Sequence, residues 1–198
     1  MGSEAWHYAE ALCQKRLGWV CLPSAGQTLQ SLADHLRLLF VLADPHGGKS
    51  LINLQQPAAW MALLASAPLS VYDHWLSLFQ LVATPTPQGQ WLVWQAGAET
   101  SNTSDEGHLT NEMEAALKES QQAWWLSRMT NMPIGCVRTP WLNKMKVLME
   151  AGITRSDHLK RLLPIMTSER EVLGTQIKEA LNKPVPSRQK VQQLEHFV

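Results

Sequence analysis

The loop from Ala43 to Ser50 has residue types that could bind a phosphate. A loose form of the phosphate-binding loop pattern is met by Ala43, Gly48, Lys49 and Ser50. That chemistry needs a strand before the loop and a helix after it, so that backbone amides surround the anion. Here the pattern predicts a helix before the loop and a strand, Ser50 to Leu54, after it. A plain turn is favoured, and a small nucleotide-binding protein using Gly48, Lys49 and Ser50 is kept as an alternative.

Histidines and acids stand close together at four points of the chain. These pairs are Asp34 with His35, Asp44 with His46, Asp73 with His74, and Asp157 with His158. A metal site or a general base on one helix face needs two such groups four residues apart, and no pair has that spacing. The cysteines Cys13, Cys21 and Cys136 form no CxxC motif. We therefore predict no catalytic residues, no metal and no cofactor.

Periodicity and turn residues predict an amino-terminal α/β lobe with a small sheet. Its helices begin near Trp6, Thr28, Pro57, Val71 and Thr110 or Asn111, and the last of them runs to about Met129. The helix from Thr28 is predicted to continue to Asp44. Short strands are predicted at Trp19 to Leu22, Ser50 to Leu54, Gln80 to Ala83 and Gln90 to Gln95. An exposed loop is predicted from Gly97 to Gly107.

The last third of the chain predicts a separate all-helical lobe. Helices are expected after Thr139-Pro140, at Thr154-x-x-Asp157 and at the capping-box pattern Ser168-x-x-Glu171. Lys183 to Val198 contains two prolines and predicts a loose tail. The fold class is therefore α+β, with an α/β lobe at residues 4–129, a helical lobe at 140–182 and a tail at 183–198. Met1 to Ser3 resemble a cloning remnant and are set aside.

Charge and hydropathy exclude several classes of protein. The 198 residues contain 17 Lys and Arg against 17 Asp and Glu, so the net charge is zero. Nucleic-acid binders usually concentrate positive charge. A DNA-associated helical regulator remains an alternative through one candidate basic face, formed by Arg155, Lys160, Arg161 and Arg170. No window has the roughly 20 apolar residues of a membrane span, and the cysteine usage favours a reducing cytoplasm.

Nine tryptophans are unusual for a chain of this length, and tryptophan often anchors protein interfaces. Trp91 and Trp94 lie on opposite faces of a predicted strand, so one of them faces away from the core unless both faces are covered. Trp124 and Trp125 differ by about 100° around a helix, so they cannot share one face. We predict a partner-binding groove formed by Trp75, Trp91, Trp94 and Trp125; the alternative is that all four belong to the core.

Several short motifs occur in the order found in one bacterial family. They are Leu17-Gly18-Trp19-Val20, Ser24, His35-Leu36-Arg37, the turn from Asp44 to Gly48, and Pro57 followed by Trp60 to Leu64. From Trp6 to about Met166 the chain resembles the adaptor chaperones of type VI secretion, which are encoded beside the spike protein VgrG. The family's Arg-x-Tyr-Asp-Pro signature is represented here only by Pro57.

The resemblance implies a non-catalytic function with two protein partners. An adaptor of this family binds a secreted effector in the cytoplasm and loads it onto the VgrG spike. The residues that match the family motif are His35, Leu36, Arg37 and Pro57, and the predicted tryptophan groove becomes an effector-binding site. No nucleic acid, membrane span or cofactor is expected.

Overall fold

The protein is an α+β mixture, as the sequence predicts. The computed structural model describes residues 3–97, 108–170 and 172–197. The chain divides into two compact units, Met1–Trp124 and Trp125–Val198. The predicted loop from Gly97 to Gly107 lies outside the described residues, apart from Gly97.

The amino-terminal unit combines helices with short strands. Its helices are α1 Ser3–Lys15, α2 Leu29–Leu39, α3 Pro57–Ser66, α4 Leu69–Leu76 and the start of α5 Asn111–Thr130. Its strands are β1 Val20–Pro23, β2 Val41–Ala43, β3 Lys49–Leu51, β4 Phe79–Pro85 and β5 Trp91–Trp94. The Thr28 side chain accepts a hydrogen bond from the Ser31 backbone amide and begins α2 as predicted. Pro57 occupies the first turn of α3, where a missing amide proton leaves no bond unmade.

Helix α2 ends earlier than predicted. It stops at Leu39, and Val41–Ala43 is strand β2, which pairs antiparallel with β3. The Ile52 amide donates to the Phe40 carbonyl, and the Leu109 amide donates to the Ala43 carbonyl. Backbone groups that a longer helix would need are thus used in pairing between distant segments, which local periodicity cannot reveal. The predicted helix to residue 43 is wrong for this reason.

Strand β4 is the centre of a three-stranded antiparallel sheet with the order β1-β4-β5. Cys21 and Trp94 lie opposite Val82, whereas Val20 and Val93 lie opposite Ala83. Side chains alternate along a strand, so these two rows occupy opposite faces of the sheet. The row with Val82 packs against the main core of the unit. We call the other row the outer face.

The core of the amino-terminal unit is built around two buried indole rings. Trp60 and Trp75 stack with their centroids 6.0 Å apart, and both are fully buried. Trp19 lies 5.9 Å from Trp60, and its Nε1 donates to the Leu54 carbonyl at 2.7 Å. Offset stacking of large rings adds to the free energy of burial, so this cluster is a major source of stability for the unit.

The carboxy-terminal unit is helical, and its helices are α6 Thr139–Glu150, α7 Ser156–Arg161, α8 Leu163–Thr167, α9 Thr175–Asn182 and α10 Ser187–Leu194. The predicted loose tail is wrong, because α10 buries Val191 and Leu194 completely in this unit's core. The segment with Pro184 and Pro186 therefore leads into a packed helix, with Pro186 directly before it, and does not mark disorder.

The predicted helix start at Ser168 is also wrong. Ser168 follows the end of α8, and its hydroxyl bonds to the Ile165 carbonyl and to Lys144 Nζ. The hydroxyl is therefore used in a tertiary contact. The next helix begins at Thr175, and Glu171 lies outside the described residues.

Lys144 is a buried cation with no carboxylate among its hydrogen-bond partners in the described chain. Its side chain is 2% exposed. The ammonium donates to the Ile165 and Ser168 carbonyls at 3.3 and 2.8 Å, and to Ser168 Oγ at 2.9 Å. Burial lowers the pKa of Lys144. All three ammonium protons are satisfied, and the last carbonyls of α8 gain a partner.

We predict that Lys144→Met destabilises the protein by about 1 to 3 kcal/mol, because it leaves buried carbonyls without donors while keeping most of the apolar volume. Chemical denaturation followed by circular dichroism measures this loss. Lys146→Met on the exposed side of the same helix is the matched control and should change stability by less than about 0.5 kcal/mol. Equal stabilities of the two variants would contradict the assigned role of the Lys144 contacts.

Candidate functional site

An apolar groove lies between helix α1 and the outer face of the three-stranded sheet. Residues from each strand of the sheet line its floor: Val20, Cys21, Leu22, Leu81, Ala83, Trp91 and Val93. Strand alternation explains all of them except Cys21, because the other six occupy the outer-face positions of the register. The sheet is thus apolar on both faces, and its outer face is incompletely covered.

Helix α1 forms the other wall of the groove. Ala5 and Ala9 line this wall with small side chains, which leave space between the helix and the sheet. Trp6, which is 54% exposed, adds a large ring to the same wall. The groove has a volume of about 520 Å³, and none of the side chains that line it in the described part of the chain carries a charge. Sites of roughly 300 to 1,000 Å³ with apolar walls are typical of binding pockets.

The carboxyl end of α1 is attached to the hairpin turn between β4 and β5. Cys13 Sγ donates to the Gly89 carbonyl at 3.3 Å, and Arg16 Nε donates to the Pro87 carbonyl at 2.6 Å. Gly89 has a φ of +82°, which this turn requires and which a side chain would strain. Burial raises the pKa of the Cys13 thiol, so the thiol stays protonated and can act as a donor. These contacts hold α1 against the hairpin beside the groove.

The four predicted tryptophans do not share one site. Trp91 lines the groove, as expected for a ring facing away from the core. Trp94 lies on the opposite face, packs against the core, and donates from Nε1 to Thr84 Oγ1 at 2.9 Å. Trp75 is fully buried in the core, so its prediction as an exposed contact residue is wrong. Hydrophobic periodicity alone could not decide between these environments for Trp75.

Trp125 belongs to the carboxy-terminal unit. Its ring is half-buried against the core of that unit, and its Nε1 donates to Ser156 Oγ at 3.0 Å. Trp125 thus packs within the helical unit. Trp124 is half-buried in the amino-terminal unit.

Three of the family-motif residues contribute to packing in the amino-terminal unit. His35 is buried, and its Nε2 lies 2.9 Å from the Trp75 carbonyl, so this nitrogen carries the proton and donates. Leu36 packs against the core, and Pro57 is buried in the first turn of α3. Arg37 is exposed and pairs with Asp34 one turn earlier.

The loop at Lys49 has the geometry of a tight hairpin. The Asp44 carboxylate accepts hydrogen bonds from the amides of His46 and Gly48, both at 2.9 Å. In a phosphate-binding loop, such backbone amides donate to the bound anion. In this loop the amides of His46 and Gly48 donate to the Asp44 carboxylate instead. The element before the loop is strand β2, not the predicted helix, and the element after Gly48 is strand β3, not a helix.

The predicted basic face is partly neutralised by acidic side chains. Arg155 pairs with Asp157, and Arg161 makes a bidentate pair with Glu195. Lys160 and Arg170 are exposed. In residues 3–97, 108–170 and 172–197, no group of three or more His, Cys, Asp or Glu side chains could hold a metal ion.

Sequence reasoning missed the part of the site contributed by α1 and β1. One sequence signal could have pointed to this site. Strands β1, β4 and β5 have apolar residues at both odd and even positions, which predicts a sheet with two apolar faces. What covers the second face depends on where α1 packs, and its local sequence does not show this.

Comparisons with known proteins add no assignment. No protein-family model, curated protein or solved structure matches the chain. Within the described residues, no helix is both long and apolar enough to cross a membrane.

Truncation should distinguish the core tryptophan from the groove tryptophan. We predict that Trp75→Ala costs about 3 to 5 kcal/mol of stability, because it leaves a cavity beside Trp60. Trp91→Ala should cost about 1 kcal/mol, because its ring borders an open groove. Equilibrium denaturation measures both. A larger loss for Trp91 than for Trp75 would contradict the assignment of these two rings.

His35 should make stability depend on pH. Burial lowers the pKa of His35 in the folded protein from 6.5, outweighing the opposing effect of the hydrogen bond to Trp75. Below pH 6.5 the unfolded chain therefore binds more protons at this residue than the folded protein does, so stability falls as pH decreases toward the lower folded pKa.

We predict that His35→Gln reduces this loss of stability between about pH 7 and pH 5. Denaturation midpoints of the wild type and the variant, measured across the range, provide the comparison. His7→Gln, at an exposed residue of α1, is the control and should keep the wild-type slope. An unchanged slope in His35→Gln would show that other groups cause the pH dependence.

Proposed function

We propose that this protein is a non-catalytic adaptor that binds a secreted effector in the cytoplasm and loads it onto the VgrG spike. The observation that carries the proposal is the apolar groove between α1 and the outer face of the sheet. The motif resemblance supplies the class of partner, and the groove supplies a surface suited to a protein segment.

The groove has properties expected of a protein-binding surface. The main core of the amino-terminal unit packs on the other face of the sheet, so most outer-face side chains are not part of that core. The Trp6 and Trp91 rings offer large apolar areas with few rotatable bonds, which suits interface anchors. An uncharged lining favours contact through apolar burial over charge pairing.

The partner candidates are the proteins encoded by the genes next to its own. We predict that one of them co-purifies with this protein and that Trp91→Ala weakens the complex by about 2 kcal/mol or more, as for an interface anchor. Isothermal calorimetry measures the affinity. Lys49→Ala, at the exposed first residue of β3, is the control and should bind like the wild type.

Salt provides a second measurement on the same complex. Affinity should change little between about 0.05 and about 0.5 M salt, because screening weakens mainly contacts between exposed charges. Wild-type affinity in Trp91→Ala, or a steep loss of affinity with salt, would argue against the groove as the contact surface. Absence of a complex with any neighbouring gene product and with VgrG would refute the adaptor function.

A further inference from the structure

The free edge of β5 adds a second type of binding group to the groove. Among the strands of the described residues, β4 is the neighbour of β5 in the sheet, and β5 pairs with it along one side. The Thr86 amide donates to the Gln90 carbonyl, which makes Thr86 and Gln90 a hydrogen-bonded pair of the hairpin. Such pairs alternate along antiparallel strands, so Leu92 and Trp94 direct their backbone groups toward β4.

Trp91 and Val93 must therefore direct their backbone N–H and C=O groups away from β4. Within the described residues, no backbone partner of Trp91 or Val93 lies on that side. The next outward carbonyl, that of Gln95, already accepts a hydrogen bond from the Tyr72 hydroxyl at 2.9 Å. The open edge therefore consists of the outward backbone groups of Trp91 and Val93 and ends at Gln95.

We propose that the partner adds an extended segment as a strand along the free edge of β5, with alternate uncharged apolar side chains lying over the groove. The proposal deepens the proposed function, because it takes the partner to be a protein and specifies the kind of segment bound. An exposed strand edge is a template for another strand, and main-chain bonds then supply affinity while alternate side chains supply specificity.

Charge complementarity limits the sequence of this segment. On the added strand, side chains on the same face as Trp91 and Val93 meet a surface whose described lining residues are all uncharged. A charge buried there would lose its hydration without gaining a partner, so these positions must be uncharged. Side chains at the alternate positions lie on the other face of the sheet and are not restricted by the groove. The bound segment should therefore have uncharged apolar residues at every second position.

Val93 provides a substitution that tests the backbone separately from the side chain. Its amide points outward, so Val93→Pro removes a donor from the free edge without removing a bond to β4, and proline is tolerated on edge strands. Val93→Thr keeps the amide and the β-branched shape, and it is the matched control. The melting temperature and circular dichroism of both variants show whether each is folded.

The probe is a fluorescent peptide of alternating valine and threonine with a lysine at each end, titrated into the full chain by fluorescence anisotropy. We expect binding to the wild type and to Val93→Thr, and affinity about tenfold or more weaker for Val93→Pro. A second peptide with aspartate in place of the valines should not bind. A third peptide, N-methylated at every valine and threonine, cannot pair as a strand through either of its edges and should not bind wild-type protein, so the test does not depend on the folding of Val93→Pro.

Equal binding of the N-methylated and unmodified peptides would overturn the proposal, as would absence of binding by the unmodified peptide. Concentration-dependent dimers of the wild type in sedimentation, lost in Val93→Pro, would identify a second copy of this chain as the occupant and would also overturn it. An effector that binds Val93→Pro as well as the wild type would refute strand addition and leave the adaptor function standing. Binding of the peptide in the absence of any effector complex would support strand addition and refute the adaptor function.

Discussion

The amino-terminal unit depends on strand β4, which pairs with β1 on one side and β5 on the other and is apolar on both faces. Val82 is fully buried toward the Trp60 and Trp75 core, while Leu81 and Ala83 lie on the outer face. A sheet with two apolar faces needs cover on both to remove them from water. Helix α1 gives partial cover, and the groove is the part of the outer face that it leaves accessible.

The two faces of this small sheet have different environments. Rings on the core face, such as Trp94, are held by packing and by a hydrogen bond to Thr84. Rings on the outer face, such as Trp91, border the groove beside a strand edge that no other described strand pairs with. The same element therefore supports a core on one face and offers both apolar area and backbone groups on the other.

The carboxy-terminal unit shows how buried polar contacts can replace expected local motifs. Ser168 has the spacing of a helix cap, yet its hydroxyl and carbonyl bind the buried Lys144 ammonium. The predicted tail is helix α10, whose Val191 and Leu194 complete the core of this unit. In both places a contact across many residues determines the conformation, because burial of an unpaired cation or an exposed apolar helix face would be unfavourable.

The sequence by itself determined the α+β class, the existence of most elements and the hairpin of β4 and β5, because capping residues, prolines and hydrophobic periods act over a few residues. It also required one of Trp91 and Trp94 to face away from the core unless both faces were covered. Only the tertiary structure decided that Trp75 is buried, that Trp6 belongs to the groove, and that α2 ends before β2. These outcomes depend on which distant segments pack or pair, and neither side-chain type nor spacing specifies those contacts.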